Sequence, residues 1–135
     1  MSTLYQDRPL SAPLQTPENR PYFEAASAGK LLVRFCLDCG KAHHYPRSFC
    51  PLCHSSRVEW KETSGRGTIY TYTVTRRVGP VPYALAYVTL DEGPTMMTNI
   101  VDCDLDSLSV GQPVKVTFKA SEDGTAIPMF TPILS

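Results

Sequence analysis

Two Cys-x-x-Cys pairs close together constrain this chain more than any other feature. They read Cys36-Leu37-Asp38-Cys39-Gly40 and, after Lys41 to Phe49, Cys50-Pro51-Leu52-Cys53. A two-residue gap lets both thiolates of a pair turn inward on one tight loop. Two such loops facing each other complete the tetrahedron that Zn²⁺ takes from four sulfurs. Gly40 follows the second thiolate of its pair, where amides turn toward sulfur and φ must be unhindered. Pro51 sets φ inside the second loop. The competing readings are a pair of disulfides and rubredoxin-type iron. No secretory signal opens the chain, because Met1 to Leu10 carries Asp7, Arg8 and Pro9 and no apolar run. The expectation is a reducing, cytoplasmic compartment, where clustered thiols hold metal rather than each other. Iron stays open as the alternative ion for a four-cysteine site. Four thiolates fill the shell, so the metal is expected to be structural. His43, His44 and His54 then read as surface residues or outer neighbours of the site, and Cys103 as a half-buried strand cysteine.

The 135 residues suffice for one modest domain and a small appendage. Thirteen Lys and Arg balance thirteen Asp and Glu, so the basic surplus typical of a nucleic-acid face is missing. No apolar run approaches membrane-spanning length.

In chain order, residues 1–17 are polar and proline-spaced and read as an extended arm. Residues 18–30 read as an N-terminal helix with Thr16 as its cap, Pro17 at its first position, Pro21 shifting its regular part to start near Asn19 or Arg20, and Gly29 as its left-handed stop. Tyr22, Phe23 and Ala26 give it a narrow apolar face. Residues 31–56 read as the metal ribbon. Residues 57–132 carry the β-signals: Val58 to Thr63, then a turn through Gly65 and Gly67, and the alternating run Thr68 to Thr75. Tyr83 to Leu90 is mostly apolar and reads as a strand buried on both sides. Thr95 to Val101, Val114 to Lys119 and Ala126 to Phe130 follow, with one helical turn between Asp102 and Ser109. Residues 133–135 are the tail. The five strands from Thr68 on, curling in this order with a short helical turn between the third and fourth of them, predict a mainly β chain ending in a five-stranded OB-fold barrel.

The ordered set of motifs resembles one known family. It runs Tyr22-Phe23-Glu24, Gly29-Lys30-Leu31-Leu32, Cys36-x-x-Cys39-Gly40, Tyr45-Pro46-Arg47 and Cys50-Pro51-x-Cys53. Trp60, Ser64-Gly65-Arg66-Gly67-Thr68, Leu90-Asp91-Glu92-Gly93, Gly111-x-Pro113-Val114 and Pro128-x-Phe130-x-Pro132 complete it. The chain is similar, over about Pro21 to Pro132, to the rubredoxin-like zinc ribbon plus OB-fold proteins long classed as a domain of unknown function. The resemblance implies a non-catalytic accessory subunit in acyl-CoA metabolism, binding acyl-CoA or completing the active site of a partner. It implies a thiolase-like, lipid-transfer-type thiolase, acyltransferase or enoyl-CoA hydratase partner in a hetero-oligomer. The sequence agrees in offering no defensible Ser-His-Asp or Cys-His arrangement and no phosphate-loop glycines.

A CoA site needs cations for phosphates and an aromatic or apolar wall. Arg47, Arg66, Arg76 and Arg77 are the candidates, with Arg76-Arg77 foremost and Tyr70 and Tyr72 as walls. Tyr22, Phe23 and Phe130 are the expected partner-interface residues, because apolar groups near a chain end fray unless docked. Cys36, Cys39, Cys50 and Cys53 are the metal ligands. The alternative function is single-stranded nucleic-acid binding by aromatic strands of the barrel; the neutral charge and the acidic runs Asp91-Glu92 and Asp102 to Asp106 count against it.

Overall fold

A computed structural model describes residues 3–44, 46–77 and 80–133. Tyr45 of the Tyr45-Pro46-Arg47 motif, Val78 and Gly79 of the loop after Arg77, and the tail residues Leu134 and Ser135 lie outside these. The order is α1 (Arg20–Ser27), β1 (Leu32–Cys36), β2 (Ala42–His43), β3 (Val58–Glu62), β4 (Arg66–Thr75), β5 (Tyr83–Leu90), β6 (Thr95–Ile100), a 3-10 turn (Leu105–Ser107), β7 (Pro113–Ala120) and β8 (Ala126–Pro132). No helix among the described residues is long and apolar enough to cross a membrane.

Helix α1 starts at Arg20, with Asn19 before it, and Thr16 caps the turn that leads into it. Thr16 and Asn19 bond reciprocally: the Thr16 amide donates to Asn19 Oδ1 at 2.7 Å, and the Asn19 amide to Thr16 Oγ1 at 3.3 Å. Pro21 falls in the first helical turn, where its missing N–H costs nothing. The helix ends in a Schellman motif, the Gly29 amide donating to Ala26 O and the Lys30 amide to Ala25 O. Tyr22, Phe23 and Ala26 are its buried stripe, laid on β8 and β1.

The ribbon is a three-stranded antiparallel sheet in the order β2-β1-β3. The strand expected to open the 57–132 unit, Val58 to Thr63, thus pairs with β1 over its whole length, from Leu32↔Glu62 to Cys36↔Val58. The barrel proper starts at Arg66. It closes in the order β4-β5-β6-β8-β7, antiparallel except for the β6–β8 seam at Ile100↔Phe130. Arg66 and Gly67, read as a turn, are the first residues of β4. Gly67 is tied there by a close approach, since a Cβ would stand 2.5 Å from the Thr89 carbonyl.

Strand β5 is not buried on both sides. Ala84, Ala86, Val88 and Leu90 face the core, whereas Leu85 and Tyr87 face outward. The apolar outward residues hid the two-residue period. Phe130 is fully buried at the barrel seam, and Tyr22 and Phe23 join the same core. The three residues expected at a partner interface therefore pack inside their own chain. Cys103 sits in the bend after β6, not in a strand; burial pushes its thiol up to about 11.

The N-terminal arm lies on the barrel. Leu4 bridges Asp104, the Tyr5 amide donates to Cys103 O, and the Glu122 amide donates to Leu10 O. Lys119 reaches Asp7 and Asp102, and the Arg8 guanidinium stacks over Tyr83.

Candidate metal centre and adjoining cavity

The two knuckles are built alike. The Gly40 amide donates to Cys36 O at 3.0 Å and the Cys36 amide to Lys41 O; fourteen residues later the His54 amide donates to Cys50 O at 2.8 Å and the Cys50 amide to Ser55 O. Both turns need a left-handed residue after the second cysteine. Gly40 supplies it at φ +72°, and His54 supplies it at φ +65°. The amides of Cys39 and Leu52 point at Cys36 Sγ and Cys50 Sγ, each at 3.4 Å. Asp38 locks one knuckle to the exit of the other, accepting from Arg57 Nη1 at 2.6 Å and from the Ser55 hydroxyl.

This backbone brings all four sulfurs within 4.8 Å of one another. Cys36 Sγ lies 3.5 Å from Cys53 Sγ, and Cys39 Sγ lies 3.7 Å from Cys50 Sγ. Four ligands at the Zn–S length sit about 3.8 Å apart on a tetrahedron. These sulfurs therefore match zinc's ligand set and are far beyond the S–S bond length of about 2.05 Å. All five cysteines are free thiols. Their electrostatics ask for a cation. Donation from the Cys39 amide lowers the Cys36 thiol to about 7. The Ser55 amide pulls Cys53 down, yet the neighbouring Cys36 sulfur and burial push it up to about 12. Four adjacent sulfurs ionise together only around a positive ion. A bound zinc would supply that charge and cross-link the two knuckles. With four sulfurs in its shell it has no position left for a substrate.

His43 and His44 are not surface residues. His43 is 6% exposed, and neither ring nitrogen has a hydrogen-bond partner. His44 turns the other way, tilted against Tyr22 at 5.6 Å between centroids. Burial, and then His43 beside it, lowers His44 to about 4, so its ring is neutral at physiological pH. It forms one wall of a cavity of about 420 Å³ between helix, ribbon and barrel. Pro13 of the arm, Tyr22 and Phe23 of α1, Thr95, Met96 and Met97 of β6, and Ile127 and Pro128 of β8 complete the lining. No local signal marks these residues, because five separate segments contribute to one cavity.

The four arginines read as CoA contacts do not converge. Arg66 and Arg76 stand at opposite ends of β4, about 30 Å apart at the usual rise per residue. Arg76 is paired with Asp106 at 2.5 Å, and Arg77 is exposed beside it. Tyr72 packs inward with its hydroxyl on Leu108 O at 2.7 Å, while Tyr70 stands exposed at a β-bulge. Arg47 alone lies on the ribbon, and its carbonyl accepts from Arg34 Nε at 3.2 Å.

Comparison with known proteins gives a consistent set of likenesses. Residues 23–59 match the family described as "ChsH2, rubredoxin-like zinc ribbon domain", and residues 60–119 match "ChsH2, C-terminal OB-fold domain". A "DUF35 domain-containing scaffold protein" of Methanothermobacter thermautotrophicus is 36% identical over 96 residues, spanning 66% of this chain and 72% of that protein. A "Probable enoyl-CoA hydratase alpha subunit" of Thermomonospora curvata is 31% identical over 119 residues, 85% of this chain. The match spans only 37% of that subunit's length. Among solved structures, a chain of "Ltp2-ChsH2(DUF35) aldolase" superposes with a TM-score of 0.78 at 30% identity, covering 91% of this chain and all of that one.

Proposed function

The chain belongs to the DUF35 family of ChsH2-type zinc ribbon plus OB-fold proteins, and from that premise we propose that it is a non-catalytic accessory subunit of a thiolase-like, aldolase-like or hydratase-like enzyme acting on acyl-CoA. The observation that carries the reading is the cavity where helix, ribbon and barrel meet. Its volume falls within the roughly 300–1,000 Å³ of small-molecule sites. Its walls are apolar, and its one imidazole is held neutral by burial. Such a cavity suits an acyl chain, and its lining holds no carboxylate, thiol or serine hydroxyl. The chemistry then falls to a partner, in keeping with a scaffold name in one relative, a subunit name in another and an aldolase complex in the matching structure. Zinc on Cys36, Cys39, Cys50 and Cys53 has a structural part: it fixes the ribbon strand that carries His44 into the cavity wall.

Two measurements test the two halves. Calorimetric titration of the zinc-loaded chain with acyl-CoAs of increasing length is expected to show affinity rising with chain length. Met97→Trp, at the half-exposed rim of the cavity, is expected to abolish that rise. Failure to bind any acyl-CoA, alone or with a partner, overturns the ligand half. Co-expression with thiolase-like and hydratase-like proteins is expected to yield a stable complex whose turnover depends on this chain. Turnover that is unchanged without it overturns the accessory half.

A further inference from the structure

Strand register places one row of side chains across the ribbon sheet. Arg34 in β1 is the cross-strand partner of His43 in β2 and of Trp60 in β3. Directly opposed residues share a face. The Arg34 guanidinium stacks on the Trp60 ring at 4.3 Å, and its Nε donates to the Arg47 carbonyl at 3.2 Å. Those two contacts fix the fork, and Glu18 is the carboxylate whose charge acts on it. Arg47 adds a second guanidinium nearby, and both arginines act on the His43 ring strongly enough to oppose its protonation, after burial itself.

Three features of this row are unusual together. Among the described residues no ion pair involves Arg34 or Arg47. Glu18 shares the neighbourhood, but its Oε2 is engaged by the Ser48 amide and hydroxyl, both at 2.8 Å. His43 is buried with both nitrogens unpartnered, a state that normally costs stability and calls for an explanation. Two guanidiniums that share the single carboxylate of Glu18, beside a ring with no partner, leave a surplus of donors that an anion would complement.

We propose that Arg34, Arg47 and His43 form a binding site for a phosphate-type oxyanion on the face of the zinc ribbon. Two guanidiniums and an imidazole offer more N–H donors than one planar carboxylate satisfies, a set that suits a tetrahedral oxyanion. His43 belongs to the row and its chain neighbour His44, turned the other way, to the cavity wall, so a ligand reaching both would pass round the end of β2. Resting on the acyl-CoA reading, the phosphate-bearing end of the ligand lies on this row while its apolar end occupies the cavity. The anion site itself does not depend on that reading. Arg47 keeps the role the sequence gave it, with Arg34 and His43 as companions in place of Arg66, Arg76 and Arg77.

The test is titration of the zinc-loaded full chain with inorganic pyrophosphate, followed by the His43 ring resonances. Saturable shifts of His43, weakening with added salt, are expected. Arg47→Gln is expected to weaken binding roughly tenfold or more, the size of a lost charge-assisted contact. Arg34→Lys keeps a cation over Trp60 but loses the planar fork, and is expected to weaken binding in the same direction. An unmoved His43, or equal affinity in Arg47→Gln and the parent, overturns the site. The same variants are then titrated with a long-chain acyl-CoA. Pyrophosphate binding without acyl-CoA binding keeps the anion site and removes the acyl-CoA reading. Equal acyl-CoA binding by parent and both variants keeps that reading and overturns the placement of the ligand's phosphates on this row.

Discussion

The ribbon and the barrel are both small β-structures, and they hold together in opposite ways. The ribbon's most buried points are the sulfur-bearing residues Cys36 and Cys50, while the large apolar residues at its tips, Leu37, Phe49 and Leu52, face outward. One of its strands is two residues long. Such a sheet buries too little apolar area to persist alone, so its cohesion must come from an ion that crosslinks the knuckles. The barrel has no such staple. It closes five strands on Ile69, Val88, Ile100, Val114 and Phe130, and closure leaves no open edge. Leu31 and Val33 at the ribbon's root belong to the barrel's core, so the two modes meet at β1. The comparison teaches that metal and apolar area substitute for each other as sources of order, at different ranges along the chain.

The largest expected effect separates the two regions directly. Stripping zinc, or replacing one ligand by Cys50→Ser, removes an interaction that in small zinc modules is worth on the order of 10 kcal/mol. Amide exchange is expected to accelerate through residues 36–57 while β4 to β8 keep their protection. Full metal content with unchanged protection in Cys50→Ser would contradict the ribbon's dependence on metal. Phe130→Ala is the mirror experiment on the barrel. Its side chain is fully buried at the one parallel seam, so truncation is expected to cost about 3–5 kcal/mol. Denaturant unfolding measures it, with zinc stoichiometry expected to stay the same. Loss of partner binding with no loss of stability would instead return Phe130 to an interface.

The same contrast explains what could be read from sequence. The ribbon's chemistry is local: two knuckles within Cys36 to Cys53 announce themselves by spacing. The barrel was legible as a succession of strands, because β-branched runs and glycine turns are also local. What the sequence hid depends on contacts between distant segments. The pairing of Val58–Glu62 with β1, the burial of Phe130 against Ile100, and the burial of His43 and His44 each need a partner from another part of the chain. The cavity was invisible for the same reason. The Arg34–His43–Trp60 row was half visible, since alternation along β1 sets Arg34 apart from Val33, but only the register brings His43 and Trp60 beside it.

His44 bridges the two regions, and its titration gives the next effect in size. Its ordinary value is 6.5, and burial holds it at about 4 in the folded chain. Between those values the unfolded chain binds the proton and the folded chain does not. The stabilising effect of neutrality is therefore present in full above pH 6.5 and drains away as pH falls toward 4. The gap corresponds to about 3 kcal/mol. Acid also weakens thiolate–metal binding, so the informative quantity is the difference between parent and His44→Leu. Unfolding free energies from pH 7 to pH 4 are expected to fall less steeply in the variant. Parallel slopes would mean that His44 is solvated or protonated in the folded state.

The smallest effects come from within the ribbon, where the two knuckles differ at one backbone position. Gly40 and His54 make the same turn with φ near +70° and the same amide bond back to the first cysteine of the pair. A side chain in this left-handed region costs about 1 kcal/mol, and glycine avoids it. A Cβ at Gly40 would meet nothing within 4 Å, so Gly40→Ala tests conformation without a clash. It is expected to destabilise the ribbon by about 1 kcal/mol. His54→Gly relieves the equivalent strain but loosens the unfolded chain, so a gain of at most about 1 kcal/mol is expected. Zinc affinity against a competing chelator reads both changes where metal binding and ribbon folding are one event. Opposite signs for the two substitutions would establish that the knuckles are interchangeable turns differing only in residue. A loss of zinc affinity in His54→Gly would show instead that the histidine's own side chain supports the second knuckle, and that the two halves of the ribbon are not equivalent.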